Sequence, residues 1–166
     1  MTNWNDVSTA APELAATVRG RFEATGLGLL ATLRADGSPR ISGIEPLFAD
    51  GELWLGMMDG SLKARDLRRD PRCELHSATV DKAVAEGDAR VSGRAVEVGD
   101  DEKATFRARF GEHNGQDVPP GPFHLFRIEL TRMSCLRPGP GPSGEVDHLD
   151  IDTWTIDGGL THVDRY

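Results

Sequence analysis

The chain has 166 residues, of which 38% are hydrophobic and 28% charged, and its formal net charge is −8. This length and composition are typical of one globular domain with its own buried core. The acidic balance excludes a general nucleic-acid or anionic-membrane surface, because both need basic patches. No apolar run approaches the roughly 20 residues that span a bilayer, and residues 1–13 lack signal-peptide features, so we expect a cytoplasmic protein.

In chain order, residues 1–11 are predicted to be a flexible terminus, and Pro12 opens the first helix at a first-turn position. Leu14, Val18 and Phe22 form the apolar stripe of that helix. Alternating patterns and turn residues then predict strands at 28–34, 40–48, 52–57, 72–77, 88–98, 123–136 and 148–156. Gly93, inside the fifth of these strands, predicts a bulge or a close backbone approach.

Two short helices interrupt the strands, one over 61–70 that Pro71 ends and one that begins at Asp100-Asp101. The segment 137–145 is rich in proline and glycine, which predicts a loop. The sequence shows no internal repeat and no domain boundary, so we expect residues 1–166 to form a single domain. Strands joined mostly by turns favour an antiparallel barrel, closed or partly open.

The start of the helix over 61–70 is a candidate anion site. Ser61 precedes it and Lys63 lies in its first turn. A hydroxyl, an ammonium and free backbone N–H groups together can bind a phosphate. A cation near a helix N-terminus is unfavourable unless an anion is present, which favours this interpretation over an ordinary serine cap beside a solvated lysine.

Metal and nucleophile chemistry have little support. Cys73 and Cys135 are the only cysteines, and the five histidines include no closely spaced pair. Because zinc ligands usually come in closely spaced pairs, the sequence predicts no metal site. The chain carries no recognisable Ser-His-Asp or Cys-His arrangement, so no catalytic side chain is predicted.

Four segments in order, LATLRADGSPR (30–40), DGELWLGMMDGSLKARDLRRDPR (50–72), ARVSGRAVEV (89–98) and the helix that reaches Phe110, resemble the pyridoxamine 5′-phosphate oxidase-like superfamily, in particular its actinobacterial flavin/deazaflavin oxidoreductases. The resemblance implies a mostly β fold, a six- to seven-stranded antiparallel split β-barrel with short helices. It also implies a homodimer with a flavin-type cofactor in each of two clefts at the subunit interface.

The resemblance also implies roles for particular residues. Lys63 would bind the cofactor phosphate, with the Ser61 hydroxyl beside it. The other implied cofactor-binding residues are Arg40 at the start of the second strand, Ser42, Gly43 and Ile44 beside the isoalloxazine ring, Met57 and Met58 beside the ribityl phosphate, and Arg90 from the partner subunit. Trp154, on a late strand, is a candidate to stack on the ring.

The chain departs from the authentic oxidases at three positions. It has Leu62 where they have a second basic residue, Glu45 where they have a lysine and Asp88 where they have a glutamine. It also lacks their C-terminal Arg-x-His substrate motif and ends in GGLTHVDRY. We therefore do not expect a pyridoxamine phosphate oxidase.

The expected function is that of an FMN-binding oxidoreductase that transfers hydride to or from a small unidentified substrate, with protein residues that bind and tune the cofactor. One alternative is a reductase dependent on the deazaflavin F-420, whose anionic tail would use arginines such as Arg65, Arg68 and Arg69. A second is a non-catalytic module that stores or senses a flavin-like or tetrapyrrole ligand. A third is a purely structural dimer.

Overall fold

The computed structural model describes residues 1–115 and 117–166. Within these residues there are four helices, none of them long and apolar enough to cross a membrane, and nine strands. The helices are α1 (Trp4–Ala10), α2 (Pro12–Glu23), α3 (Leu62–Arg69) and α4 (Asp100–Asn114). The strands are β1 (Gly28–Leu33), β2 (Pro39–Ile44), β3 (Pro46–Ala49), β4 (Glu52–Met58), β5 (Arg72–Ser77), β6 (Asp88–Glu97), β7 (Phe123–Pro140), β8 (Val146–Thr155) and β9 (Gly159–Arg165).

The strands form one antiparallel sheet in the order β2-β1-β5-β6-β7-β4-β3, with β8 paired to β7 and β9 paired to β8. β2 and β3 are consecutive in the chain but lie at opposite ends of this order. The chain changes partner at Glu45, between them, because β2 pairs with β1 whereas β3 pairs with β4. This is the predicted mostly β, antiparallel split barrel with short helices.

The strand count differs from the predicted six to seven. The single strand expected over 40–48 is divided at Glu45 into β2 and β3. β9 was not predicted, because every residue in it is exposed and it therefore lacks the alternation that marks a half-buried strand.

Two hydrophobic clusters fill the fold. The larger cluster lies under α1 and α2. The predicted apolar stripe of α2, Leu14, Val18 and Phe22, is buried in it. α2 packs against β6, β7 and β8. The smaller cluster consists of Leu47, Trp54, Phe106 and Leu125, and it fixes α4 on the other side of β4 and β7.

The flexible terminus predicted for residues 1–11 is wrong, because residues 4–10 form α1. The Asn3 side chain accepts a hydrogen bond from the Asp6 backbone N–H, and the Asp6 carboxylate accepts one from the Asn3 backbone N–H, each at 3.0 Å. This reciprocal cap closes the helix start. Trp4 and Val7 are buried, so α1 belongs to the core.

The loop predicted over 137–145 is also wrong in its first part, because β7 continues to Pro140 and turns into β8 only after it. The pairing of β6 with β7 ends at Asp88 and Leu136. Beyond that point β7 has one neighbour left among the described strands, β8, so its other edge is open. A proline lacks a backbone N–H, which costs no ladder bond where a strand has an open edge. Prolines are therefore accommodated here.

Gly93 occupies the predicted bulge. The register of β6 on β7 shifts between Ser92 and Gly93, and Gly93 faces Leu130. A Cβ at this position would press against the Glu129 carbonyl oxygen and lie 2.7 Å from the Ile128 Cγ2 atom. Only a residue without a side chain lets the two strands approach this closely.

Replacing Gly93 by alanine should lower the free energy of unfolding by about 1–3 kcal/mol, because the added methyl overpacks a closed part of the core. Urea denaturation followed by far-UV circular dichroism measures this. Gly20→Ala, in α2 where an added Cβ meets nothing within 4 Å, is the matched control and should be neutral or slightly stabilising. Equal stability of Gly93→Ala and wild type would contradict the close approach.

Candidate functional site

A cleft of 630 Å³ opens at the start of α3, between the ends of β2 and β4 on one side and α4 on the other. Six of the ten residues proposed from the sequence line it together: Gly43, Ile44, Met57, Met58, Ser61 and Lys63. They come from three elements that are separate in sequence. The split between β2 and β3 brings the end of β2 next to the end of β4 and so creates this side of the cleft.

Lys63 is the one cation among the described residues that line the cleft. Its side chain is half-buried and its Nζ donates a hydrogen bond to the Gly43 carbonyl oxygen at 2.6 Å. Burial lowers the pKa of Lys63, while the charge of Glu45 acts in the opposite direction. The ammonium is thus held at the cleft wall with further N–H donors, and an anion in the cleft would compensate its charge.

Ser61 stands at the N-cap position of α3 but does not cap the helix with its side chain. Its backbone N–H donates to the Met58 carbonyl oxygen at 3.2 Å, which fixes the turn that leads into the helix. The hydroxyl and the first backbone N–H groups of α3 are therefore not used by the cap, in contrast to an ordinary serine N-cap. This leaves donors beside Lys63 at the positive end of the helix dipole.

The wall opposite Lys63 was missed by the sequence analysis. It is apolar and comes from α4 and the segment after it: Phe106, Phe110, Val118, Pro119, Pro120, Pro122 and Phe123. The ring centroids of Phe106 and Phe123 lie 6.0 Å apart, and those of Phe106 and Phe110 lie 5.5 Å apart. The only sequence signal for this wall was the proline-rich connector between a helix and a strand.

Two carboxylates, Glu45 and Asp59, also line the cleft. Behind Asp59 lies buried His124, whose Nδ1 is 2.9 Å from Glu97 and whose Nε2 is 3.6 Å from Asp59. Arg68 binds Glu97 through two hydrogen bonds of 2.6 and 2.7 Å. The bonds from Arg68 and then from His124 hold the pKa of Glu97 below its ordinary value despite partial burial. This network fixes the start of β7 beneath the cleft.

Four residues proposed from the sequence do not line this cleft. Ser42 is half-buried within β2, where it pairs with Leu30. Arg90 is exposed on β6, and its predicted approach to a partner's cleft stays a prediction. Trp154 is 6% exposed in the main core, so the prediction that it stacks on a cofactor is corrected. β8 turns this side chain inward, opposite Met133, where no ligand face remains.

Arg40, the fourth, lies on another face of the molecule. Its Nε binds the buried Asp66 carboxylate at 2.6 Å, and Arg69 and Thr32 bind the same carboxylate at 3.0 and 3.1 Å. Burial raises the pKa of Asp66, but these three hydrogen bonds outweigh it and leave the pKa below its ordinary value. Arg40 therefore joins β2 to α3 instead of contacting the cleft.

A group of potential metal ligands lies on the β8–β9 hairpin. The ligand atoms of His148, Asp150 and Asp164 are within 4.8 Å of one another, because antiparallel pairing sets Asp150 opposite Asp164. The search for closely spaced histidine or cysteine pairs in the sequence could not find this group, because Asp164 joins it only through the pairing of β8 with β9. His148 Nε2 is already 3.0 Å from Asp150, and Arg137 lies 3.4 Å from the same carboxylate. The cluster is compensated by its own contacts, and the prediction of no metal site stays a prediction.

Comparison with known proteins finds one family and several solved folds. Residues 14–136 match the family model described as pyridoxamine 5′-phosphate oxidase. Similar structures include Campylobacter jejuni ChuZ (15% identity, 92% of this chain and 63% of that one, TM-score 0.71) and HutZ, the heme storage protein from Vibrio cholerae (20%, 73% and 89%, 0.54). A third is an F420 reductase (17%, 64% and 87%, 0.52). At these identities the similarity shows the fold alone.

Proposed function

This chain belongs to the pyridoxamine 5′-phosphate oxidase family, and from that premise we propose that it binds FMN in the cleft beside α3 and acts as a flavin-dependent oxidoreductase. The observation that carries the proposal is Lys63, a half-buried ammonium beside an uncapped helix start. Family membership alone does not assign a reaction, because one fold hosts many functions.

The residues present fit a flavin with a terminal phosphate. Lys63, the Ser61 hydroxyl and the backbone N–H groups at the start of α3 would hold the phosphate. The apolar wall that includes Phe106 and Phe123 would cover a planar ring. The volume of 630 Å³ lies in the range of about 300–1,000 Å³ that is usual for small-molecule sites.

A bound flavin would supply the hydride-transfer chemistry. The protein's own residues would bind and orient the flavin and would exclude water from the cleft. In this proposal the backbone of Gly43 and Ile44, at the end of β2, runs beside the ring and limits its position. The phenylalanine wall would help to exclude water from the cleft, and exclusion of water strengthens every polar contact inside it. No side-chain acid or base is assigned.

The proposed substrate is a small molecule other than pyridoxamine phosphate, because the printed sequence contains no Arg-x-His motif like that of the authentic oxidases. The alternative cofactor F-420 is supported by the similar fold of the F420 reductase. Haem, and with it a storage role like that of HutZ, has less support. His, Cys and Tyr are the usual strong haem ligands, and none lines the cleft among the described residues.

We further propose a homodimer in the cytoplasm. The cleft is open on one side, and Leu29 and Ile41, 43% and 71% exposed, lie on the outer face of β1 and β2 close to Gly43. A second copy that covers this face would bring Arg90 of the partner subunit toward the cleft. Cys73 and Cys135 are buried free thiols, which is typical of a reducing compartment.

Purified protein titrated with FMN, F-420 and haem should bind FMN with micromolar affinity and turn yellow. One lysine and the N–H groups at the start of α3 suit the single phosphate of FMN. Sedimentation of the loaded protein should give the mass of two chains. Steady NAD(P)H oxidation by the FMN complex is the expected activity.

Tight FMN binding without turnover would favour the non-catalytic module, and binding of F-420 alone would move the proposal to deazaflavin-dependent reduction. Binding of none would refute the cofactor proposal.

A further inference from the structure

The cleft carries more negative than positive side-chain charge. Among the described residues that line it, the charged ones are Glu45, Asp59 and Lys63. In the proposed function Lys63 meets the cofactor phosphate, and a phosphate monoester itself carries a charge of about −1.5 to −2 at pH 7. A loaded cleft would therefore hold one ammonium against two carboxylates and a phosphate. A second ligand that enters the loaded cleft meets a negative field.

Glu45 is held at the cleft by the split between β2 and β3. It is the single residue between these strands, with Ile44 before it buried and Pro46 after it paired with Leu55. Its side chain is exposed and makes no hydrogen bond and no ion pair with the part of the chain that the structure describes. The backbone of Glu45 is thus fixed by two strands, while its carboxylate is left available to a ligand.

Lys63 is the cation whose charge acts on Glu45 across the cleft wall. Burial lowers the pKa of Lys63, and the charge of Glu45 acts against that shift. The ammonium itself is bonded elsewhere, because its Nζ donates to the Gly43 carbonyl oxygen at 2.6 Å. An anion beside Lys63 would take up this positive charge. Glu45 would then be left without a compensating cation among the described residues that line the cleft.

Asp59 adds negative charge to the same cleft. Its carboxylate is 3.6 Å from the Nε2 atom of buried His124, and its side chain is 64% exposed. His124 is shared with Glu97, whose carboxylate lies closer, at 2.9 Å from Nδ1. The histidine therefore compensates Asp59 only in part, and Asp59 acts with the same sign as Glu45.

The opposite wall suits an apolar or aromatic body. It presents the rings of Phe106, Phe110 and Phe123, and the faces of aromatic rings attract cations. Phe123 already shows this attraction, since Lys103 Nζ and the Arg107 guanidinium lie 5.7 and 4.6 Å from its ring centroid. Neither of these two cations lines the cleft, and Arg107 is bonded to backbone carbonyl oxygens of the segment after α4.

We propose that the substrate of this cleft is a small organic cation with an apolar or aromatic body, whose ammonium or amidinium group meets Glu45. The apolar part would lie against Phe106 and Phe123. An anionic substrate would be repelled by Glu45, by Asp59 and by the phosphate. The residue at position 45 also reverses the charge of the lysine that the authentic oxidases have there. The proposal rests on the proposed function, because it takes the anion beside Lys63 to be the phosphate of FMN.

Amide NMR titration of the FMN-loaded protein with benzamidinium, benzamide and benzoate tests this preference. The three probes share one shape and are positive, neutral and negative. Benzamidinium should shift the signals of Gly43 and Glu45 and should bind about tenfold more tightly than benzoate at low salt. Glu45→Gln should weaken benzamidinium binding about fivefold, the factor of an exposed ion pair. Glu45→Lys should make benzoate the tighter ligand.

The matched control is Glu86→Gln, which removes an exposed carboxylate between β5 and β6 and should leave benzamidinium affinity unchanged. Equal weakening in Glu86→Gln would trace the preference to the net charge of −8 and overturn the role of the cleft. Equal affinity for the three probes, tighter binding of benzoate to wild type, or signal shifts confined to other surfaces would refute the proposal. Unchanged benzamidinium affinity in Glu45→Gln would refute the role of Glu45.

The FMN titration separates this proposal from the proposed function. If FMN does not bind, the cofactor proposal is refuted, and the same three probes are titrated into the protein without FMN. Two carboxylates still outnumber one ammonium there among the described residues of the cleft, so benzamidinium should remain the tighter ligand. Equal binding of benzamidinium and benzoate in that protein would refute the charge preference as well. If FMN binds and the probes show no preference, the charge preference alone is refuted.

Discussion

Replacing Lys63 by alanine should weaken FMN binding by roughly 1–3 kcal/mol, about 5- to 150-fold in Kd, which is the scale of a hydrogen bond to a charged group. The Lys63 ammonium is half-buried and donates to the Gly43 carbonyl oxygen, so it is already positioned before a ligand arrives. The substitution removes the one cation among the described residues of the cleft wall. Fluorescence titration of apo-protein measures the change.

Two controls make the Lys63 result specific. Lys82→Ala removes an exposed lysine of the segment between β5 and β6, and should leave FMN affinity unchanged. Riboflavin has the same ring without the phosphate, so its affinity should be the same in wild type and Lys63→Ala. If both ligands lose affinity equally, Lys63 does not act on the phosphate. If FMN affinity is unchanged, the proposed phosphate site is elsewhere.

Asp66→Asn should destabilise the protein by about 3 kcal/mol, the lower end for one partner removed from a buried ion pair. The carboxylate is 5% exposed and binds Arg40, Arg69 and Thr32. Asparagine keeps the size of the side chain but not its charge, so Arg40 would remain largely buried without a counter-charge. We expect a lower urea midpoint at pH 7 with an unchanged m-value.

The pH dependence separates charge from packing in this variant. The folded pKa of Asp66 lies below its ordinary value of 3.8, so its contribution to stability is present above that pH and is lost as the pH falls through the folded pKa. The stability difference between wild type and Asp66→Asn should therefore shrink below pH 3.8. A difference that stays constant into acid would indicate a packing defect. Asp70→Asn, in the partly exposed pair with Arg72, is the control, and its expected effect at pH 7 is smaller.

The local parts of the cleft were predictable from the sequence. Ser61 and Lys63 are read from a helix start, which depends on neighbouring residues alone, and α3 begins within one residue of the prediction. Gly43 and Met57 were placed through the family resemblance and do line the cleft. The bulge at Gly93 was predictable because a glycine inside an alternating strand usually marks a bulge or a close backbone approach.

The remaining parts depend on contacts between distant segments. The wall of Phe106 and Phe123 exists only because α4 packs over β4 and β7, which no local pattern specifies. Arg40 was assigned to a cofactor through the family resemblance, and Trp154 by its place on a late strand. Which face of the sheet each side chain joins depends on strand pairing, and pairing sends Arg40 to Asp66 and Trp154 into the core.

The change of strand partner at Glu45 also sets an order in time. β1 and β2 are adjacent in the chain and can pair while later residues are still being synthesised. β4 carries Met57 and Met58 of the cleft, but its partner β7 begins only at Phe123. Closing so long a loop is slower than closing a hairpin. A ribosome-bound chain therefore presents Lys63 well before the opposite wall exists, and any ligand of this cleft can be enclosed only once the chain has been made at least as far as Phe123.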